Sequence, residues 1–172
     1  MDAEVQEVAL TYLDARACSL KELERYLLRK FPLKKDAVML VVMWCKAQGF
    51  IDDIAYATRI ANSFGEGKKG SRKMLIGNLT KKGFARSDIA RVMDQVAIDE
   101  HEPAYRTAAK KLMQIDNKLQ RDIAQGKLQL SQRQVLLVRK QRLIGFLARQ
   151  GYDHQTIETV ISNLLQTNSL DE

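Results

Sequence analysis

A chain of 172 residues with 45% apolar residues fits one ordinary soluble domain, or a few small units sharing a core. No stretch approaches ~18 uninterrupted apolar residues, so no membrane span is expected. The acidic start Met1-Asp2-Ala3-Glu4 lacks a signal-peptide profile, which makes the cytoplasm the expected location. The net charge of +7 favours an acidic partner, although composition alone favours solvated lysine-rich helix faces.

Apolar residues recur at helical spacing nearly throughout, and prolines are scarce, so the fold class expected is all-α. A first helix covers Ala9 to Ala17. Ser19-Leu20-Lys21-Glu22 reads as a capping box that opens a second helix carrying Leu23 and Leu27. Phe31-Pro32 ends it. Val38, Val41, Val42 and Cys45 then fall at i, i+3, i+4, i+7, the spacing of one helix face. No polar residue occurs from Val38 to Trp44, so this helix is expected to be covered on several sides, with Trp44 in the core. Cys18 and Cys45 have no CxxC or Cys/His spacing and read as buried thiols in a reducing compartment.

The next helix covers Ile54 to Phe64, capped by Asp52 or Asp53. A glycine-containing basic loop, Gly65-Glu66-Gly67-Lys68-Lys69-Gly70-Ser71-Arg72, follows it. It has glycines at the separation of a phosphate loop, but Ser71 stands where the lysine is needed and no strand precedes it. A helix-to-helix loop is the better reading. Leu75 and Leu79 mark the following helix, Gly83 fits the left-handed position past its end, and Phe84 plugs the turn. Ile89, Val92, Met93 and Val96 form another apolar face.

Pro103 suits the first turn of a helix running Ala104 to Leu119. The polar stretch Asp116 to Gln134 reads as helix, loop or both. Leu143 and Leu147, then Gly151-Tyr152, then Ile157, Val160, Ile161 and Leu164 repeat the earlier pattern at one fixed shift of 68 residues. Residues after Gln166 are expected to fray. Such self-similarity means stacked supersecondary units. The chain parses into three tandem three-helix repeats, 1–50, 51–100 and 101–172, stacked into an elongated, curved body.

Basic residues cluster in equivalent elements. Gly67 to Ser87 contains no acid but holds Lys68, Lys69, Arg72, Lys73, Lys81, Lys82 and Arg86. Ile123 to Tyr152 contains no acid but holds Lys127, Arg133, Arg139, Lys140, Arg142 and Arg149. Both runs centre on the middle helix of a repeat, which suggests a shared basic face for phosphates or an acidic protein. Binding candidates are Lys68, Lys69, Arg72, Lys73, Lys81 and Lys82, with Arg139, Lys140 and Arg142 in the last repeat. His101 and His154 are single and read as surface residues. No catalytic constellation, metal spacing or cofactor motif is visible, so an enzyme is not expected.

Three segments carry a family resemblance. They are Val42-Met43-Trp44-Cys45-Lys46-Ala47-Gln48-Gly49-Phe50-Ile51-Asp52-Asp53 followed by Tyr56-Ala57, the basic loop leading to Leu79-Thr80-Lys81-Lys82-Gly83-Phe84, and Lys140 to Tyr152. In this order they resemble the RecX family, regulators of the RecA recombinase, over roughly residues 6 to 165. The resemblance implies three three-helix repeats and binding in the groove of the RecA–DNA filament. It further implies inhibition of ATP hydrolysis, strand exchange and co-protease action. DNA is expected to be met through the filament, with direct contact open, by a monomer. Ser71 stands where the family often has proline, and Phe31-Pro32 replaces its usual Lys-Gly turn. The rival reading is a stand-alone DNA-binding protein with helix-turn-helix-like units, usually dimeric on spaced half-sites.

Overall fold

The computed structural model describes residues 2–167, and among these the chain is all helix and connection, without a strand. The frayed tail expected after Gln166 lies largely outside the described residues. Among the described residues nine helices follow one another: α1 Ala3–Ala15, α2 Leu20–Lys30, α3 Lys35–Ala47, α4 Asp53–Glu66, α5 Arg72–Lys82, α6 Arg86–Gln95, α7 His101–Ala124, α8 Gln132–Gln150 and α9 His154–Thr167. In chain order they fall into three sets of three, α1–α3, α4–α6 and α7–α9.

By packing, the chain divides into two compact units. One comprises the chain through Phe64 together with Ile76–Ala97, the other Gly65–Leu75 together with the chain from Ile98 onward.

In the first unit, Val5 and Ala9 of α1, Leu23 and Leu27 of α2, and Val38, Val41, Val42 and Cys45 of α3 are buried together with Cys18 and Ile51. Each leucine so buried contributes about 1.5–3 kcal/mol. Asp2 caps α1 by accepting the Val5 N–H at 3.2 Å. The capping box of α2 forms as its sequence suggests. The Glu22 N–H donates to Ser19 Oγ at 3.1 Å, and the Ser19 N–H donates to Glu22 Oε2 at 3.0 Å. Cys18 and Cys45 are free and buried, and burial pushes the Cys18 thiol up to about 11.

Helix α3 departs from expectation. Its Val38–Cys45 face is buried, but Met39, Leu40 and Met43 are 62%, 63% and 56% exposed. The cause is the number of neighbours. Within this unit α3 packs chiefly against α1 and α2, and two helices cover one side of a third. Trp44 is half-buried and lies against Phe50, ring centroids 5.5 Å apart.

In the second unit, Ala104, Ala108, Leu112, Ile115 and Leu119 of α7 pack with Leu143 and Leu147 of α8 and Ile157, Val160, Ile161 and Leu164 of α9. The polar stretch after Asp116 proves to be both helix and loop. α7 continues to Ala124, a turn follows, and Ser131 caps α8 through its own capping box with Gln134. Helices α7 and α8 span 24 and 19 residues, against 13 and 11 for α1 and α2.

The glycine turns have the backbone their sequence demands. Gly83 has φ +88° and Gly151 has φ +84°, and Phe84 and Tyr152 behind them are buried. Phe31 ends α2 at φ −125°, a turn that needs no glycine.

Candidate functional site

The N-termini of α2 and α5 are built alike. Ser19 and Ser71 stand 52 residues apart, as do Leu23 and Leu75, and Leu27 and Leu79. Each serine caps its helix and also donates its hydroxyl elsewhere. Ser19 Oγ donates to the Lys82 carbonyl at 2.6 Å, within the first unit. Ser71 Oγ donates to the Gln150 carbonyl at 2.8 Å, within the second. Each acceptor is the last residue of a helix that ends in a left-handed glycine. An acid completes both joints. Asp53 Oδ1 accepts the Leu20 N–H at 2.9 Å, and Glu100 Oε1 accepts the Arg72 N–H. Burial raises both carboxyls above their ordinary range, against the lowering effect of the donated N–H. Asp52, not Asp53, caps α4, accepting the Ala55 N–H at 2.9 Å.

These joints explain the glycine loop. Ser71 is fully buried as the cap of α5, so the loop delivers a structural serine rather than a phosphate cradle. The third repeat has no such serine. The shift of 68 residues places Arg139 at the equivalent position, in the interior of the lengthened α8. Its guanidinium pairs with Asp116 of α7 at 2.7 Å.

The basic candidates thus separate by environment. Arg139 is held by Asp116, Lys68 by Glu102, and Lys82 by Glu22 at 2.9 Å with the Tyr56 hydroxyl at 3.2 Å. The Lys82 ammonium is held above its ordinary value: burial opposes the charged form, but Glu22 and Tyr56 outweigh it. Lys69 and Arg72 belong to the loop and the start of α5 in the second unit, and Lys73 lies against Gly151. Lys81, Lys140 and Arg142 are exposed on helix surfaces.

Two grooves gather cations beyond those candidates. In the first unit, a groove of about 460 Å³ is lined by Tyr12, Arg16, Glu22, Arg25, Arg29 and Lys81. Its charge is partly spent on structure. Arg25 donates to the carbonyls of Lys81 and Lys82 at 3.3 and 3.1 Å, and Arg16 lies over the Tyr12 ring. In the second unit, a groove of about 480 Å³ runs between α7 and α8. Lys111 and Lys118 come from α7, Arg142 and Arg149 from α8, and no acid lines it. Lys111 and Lys118 were not legible as binding residues because Asp116 and Asp122 dilute the local charge. Their i, i+7 spacing, two turns on one face, was the available signal.

No protein-family model matches the chain. It is 26% identical over 167 residues to a regulatory protein RecX of Pelodictyon phaeoclathratiforme (strain DSM 5477 / BU-1), covering 95% of this chain and 91% of that one. It is 32% identical over 124 residues to a regulatory protein RecX of Streptococcus pneumoniae serotype 19F (strain G54), covering 72% of this chain and 46% of the longer relative. The crystal structure of RecX from Lactobacillus salivarius superposes with a TM-score of 0.61 at 21% identity, covering 94% of this chain and 95% of that one. A second crystal structure of regulatory protein RecX gives 0.65 at 20% identity, over 92% and 70%. Fold and sequence agree along nearly the whole length: the chain belongs to the RecX family of non-enzymatic regulatory proteins.

Proposed function

We propose that this protein modulates the RecA recombinase, binding in the groove of the RecA–DNA filament and limiting ATP hydrolysis, strand exchange and co-protease action. The observation that carries this reading is the match to a regulatory protein RecX over 95% of the chain. The surface chemistry is compatible with it. Helical repeats offer an extended face, and exposed cations such as Lys81, Lys140 and Arg142 suit phosphates or acidic protein. The helix-turn-helix rival is disfavoured by the joints. A recognition helix presents its N-terminal residues to base edges. Here the N-termini of α2 and α5 are closed by Asp53 and Glu100.

Titration into a single-stranded-DNA-dependent RecA ATPase assay tests the proposal. The expected result is a saturable fall in ATP hydrolysis. Unchanged hydrolysis at several-fold excess over RecA protomers overturns it.

A further inference from the structure

We infer that the groove between α7 and α8 is a direct binding site for one strand of nucleic acid, occupied without any partner protein.

Four observations converge on it. First, the cations are placed in two ranks. α7 and α8 are joined by a turn and run antiparallel, and α7 supplies Lys111 and Lys118 while α8 supplies Arg142 and Arg149 to the same groove. The Arg139–Asp116 bridge at 2.7 Å ties the two helices together beside it. Second, three of the four cations are uncommitted. None of the four forms an ion pair among the described residues, and only Lys111 has another contact, donating to Gln114 Oε1 at 3.3 Å and lying 5.2 Å from the Phe146 ring centroid. The first-unit groove differs on this point, since Glu22 lines it and Arg25 is spent on two carbonyls.

Third, the floor is open. Gly145 faces the groove, and the nearest atom to a Cβ built there is Arg149 Nη1 at 3.5 Å. A ligand backbone can therefore approach α8 closely. Gln114 and Gln141 add neutral amide donors between the cations. Fourth, the spacing suits a phosphodiester chain. Seven residues of helix advance ~10.5 Å. That distance exceeds one phosphate-to-phosphate step, so the two cations of each helix can meet different phosphates of one strand. An acidic protein helix is the other chemistry that cations attract, but it docks through an apolar stripe as well. The groove offers only Ile115, which is 4% exposed.

The site does not depend on the RecA reading. It deepens the question of direct DNA contact and can be tested on the protein alone.

The experiment is fluorescence anisotropy of a labelled oligothymidylate with the purified full-length protein across a salt series. The test variant carries Lys118→Gln, Arg142→Gln and Arg149→Gln, all at exposed positions. The control carries Arg29→Gln, Lys30→Gln and Lys35→Gln, all at exposed positions of the first unit. Circular dichroism and thermal unfolding verify that both fold. The wild type is expected to bind. The test variant should lose roughly tenfold or more at low salt, with the slope of log K against log salt reduced by about 2, since each single-strand phosphate contact contributes ~0.7. The control should retain most of the affinity. Absence of wild-type binding, or equal losses in test and control variants, overturns the site. If the oligonucleotide is not bound but the test variant loses RecA inhibition, the groove is a protein-docking face, and the RecA reading survives alone. If oligonucleotide binding maps to the groove while RecA ATPase is untouched, the site stands and the RecA reading fails.

Discussion

The Ser71 hydroxyl donates to the Gln150 carbonyl at 2.8 Å while its oxygen accepts the Met74 N–H at 3.2 Å. One side chain thus caps the start of α5 and the end of α8. Ser19 does the same between α2 and the end of α5, at 2.6 Å to Lys82 and 3.1 Å from the Glu22 N–H. Both serines are fully buried. A buried hydroxyl used as both donor and acceptor leaves two unpaired groups when it is removed.

Replacement of either serine by alanine is therefore expected to cost more than an ordinary exposed cap. Loss of a cap costs ~1 kcal/mol, and stranding a buried carbonyl adds ~1–3 kcal/mol. Thermal unfolding should fall by several degrees for Ser19→Ala and Ser71→Ala, since ~1 kcal/mol is about 2–4 °C at this chain length. Ser131 caps α8 at an exposed position and reaches only Gln134, so Ser131→Ala should cost the cap alone. Equal losses at all three serines would remove the joint as an energetic feature.

The glycines opposite the serines set a second expectation. A Cβ at Gly83 would lie 2.5 Å from Lys21 Cβ, and one at Gly151 would lie 2.8 Å from Lys73 Cβ. Both lysines occupy the second position of a helix, α2 or α5, and a Cβ moves only with its backbone. Gly49 shares the positive φ, at +74°, but faces open space. Gly49→Ala should cost only the left-handed strain, ~1–2 kcal/mol. Gly83→Ala and Gly151→Ala should cost that and a displaced helix start, giving the larger drop in urea midpoint. A ranking with Gly49 first would show that the close approach relaxes freely.

The sequence carried the helices because periodicity and turn chemistry are local. The capping box at Ser19, the left-handed glycines, and the apolar faces of Val38–Cys45 and Ile157–Leu164 are all present as expected. What stayed hidden depends on partners far along the chain. Asp53 reads as a cap from its neighbours, yet it serves Leu20, 33 residues earlier. Ser71 reads as a loop residue until Gln150 is placed beside it. The exposed Met39, Leu40 and Met43 follow from how many helices reach α3, which no local pattern encodes. Among the basic candidates, only packing distinguishes Arg139 on Asp116 from the exposed Arg142 three residues on.

Glu100 makes stability depend on pH in a stated direction. Burial is the largest influence on its carboxyl and raises it above the ordinary 4.5. The Arg72 N–H opposes that rise, and the neighbouring Asp153 adds to it. A carboxyl raised by folding stabilises the fold fully below its unfolded value, and that contribution is lost as pH climbs through the folded value. Ionised Glu100 therefore weighs against the second unit from above pH 4.5 up to neutrality, and Asp53 acts likewise in the first unit from above 3.8. Glu22 runs the other way: burial raises it, but the Ser19 N–H and Lys82 prevail and hold it low, so its contribution disappears in acid, below 4.5. Glu100→Gln keeps an acceptor for the Arg72 N–H and removes the buried charge. Its melting temperature relative to wild type should rise as pH climbs above 4.5 and level off once the wild-type carboxyl is fully ionised. Asp53→Asn should behave similarly from a lower starting pH. A difference that stays constant across that range would mean that the carboxylate, aimed at the start of α5, recovers from the helix dipole what burial takes away.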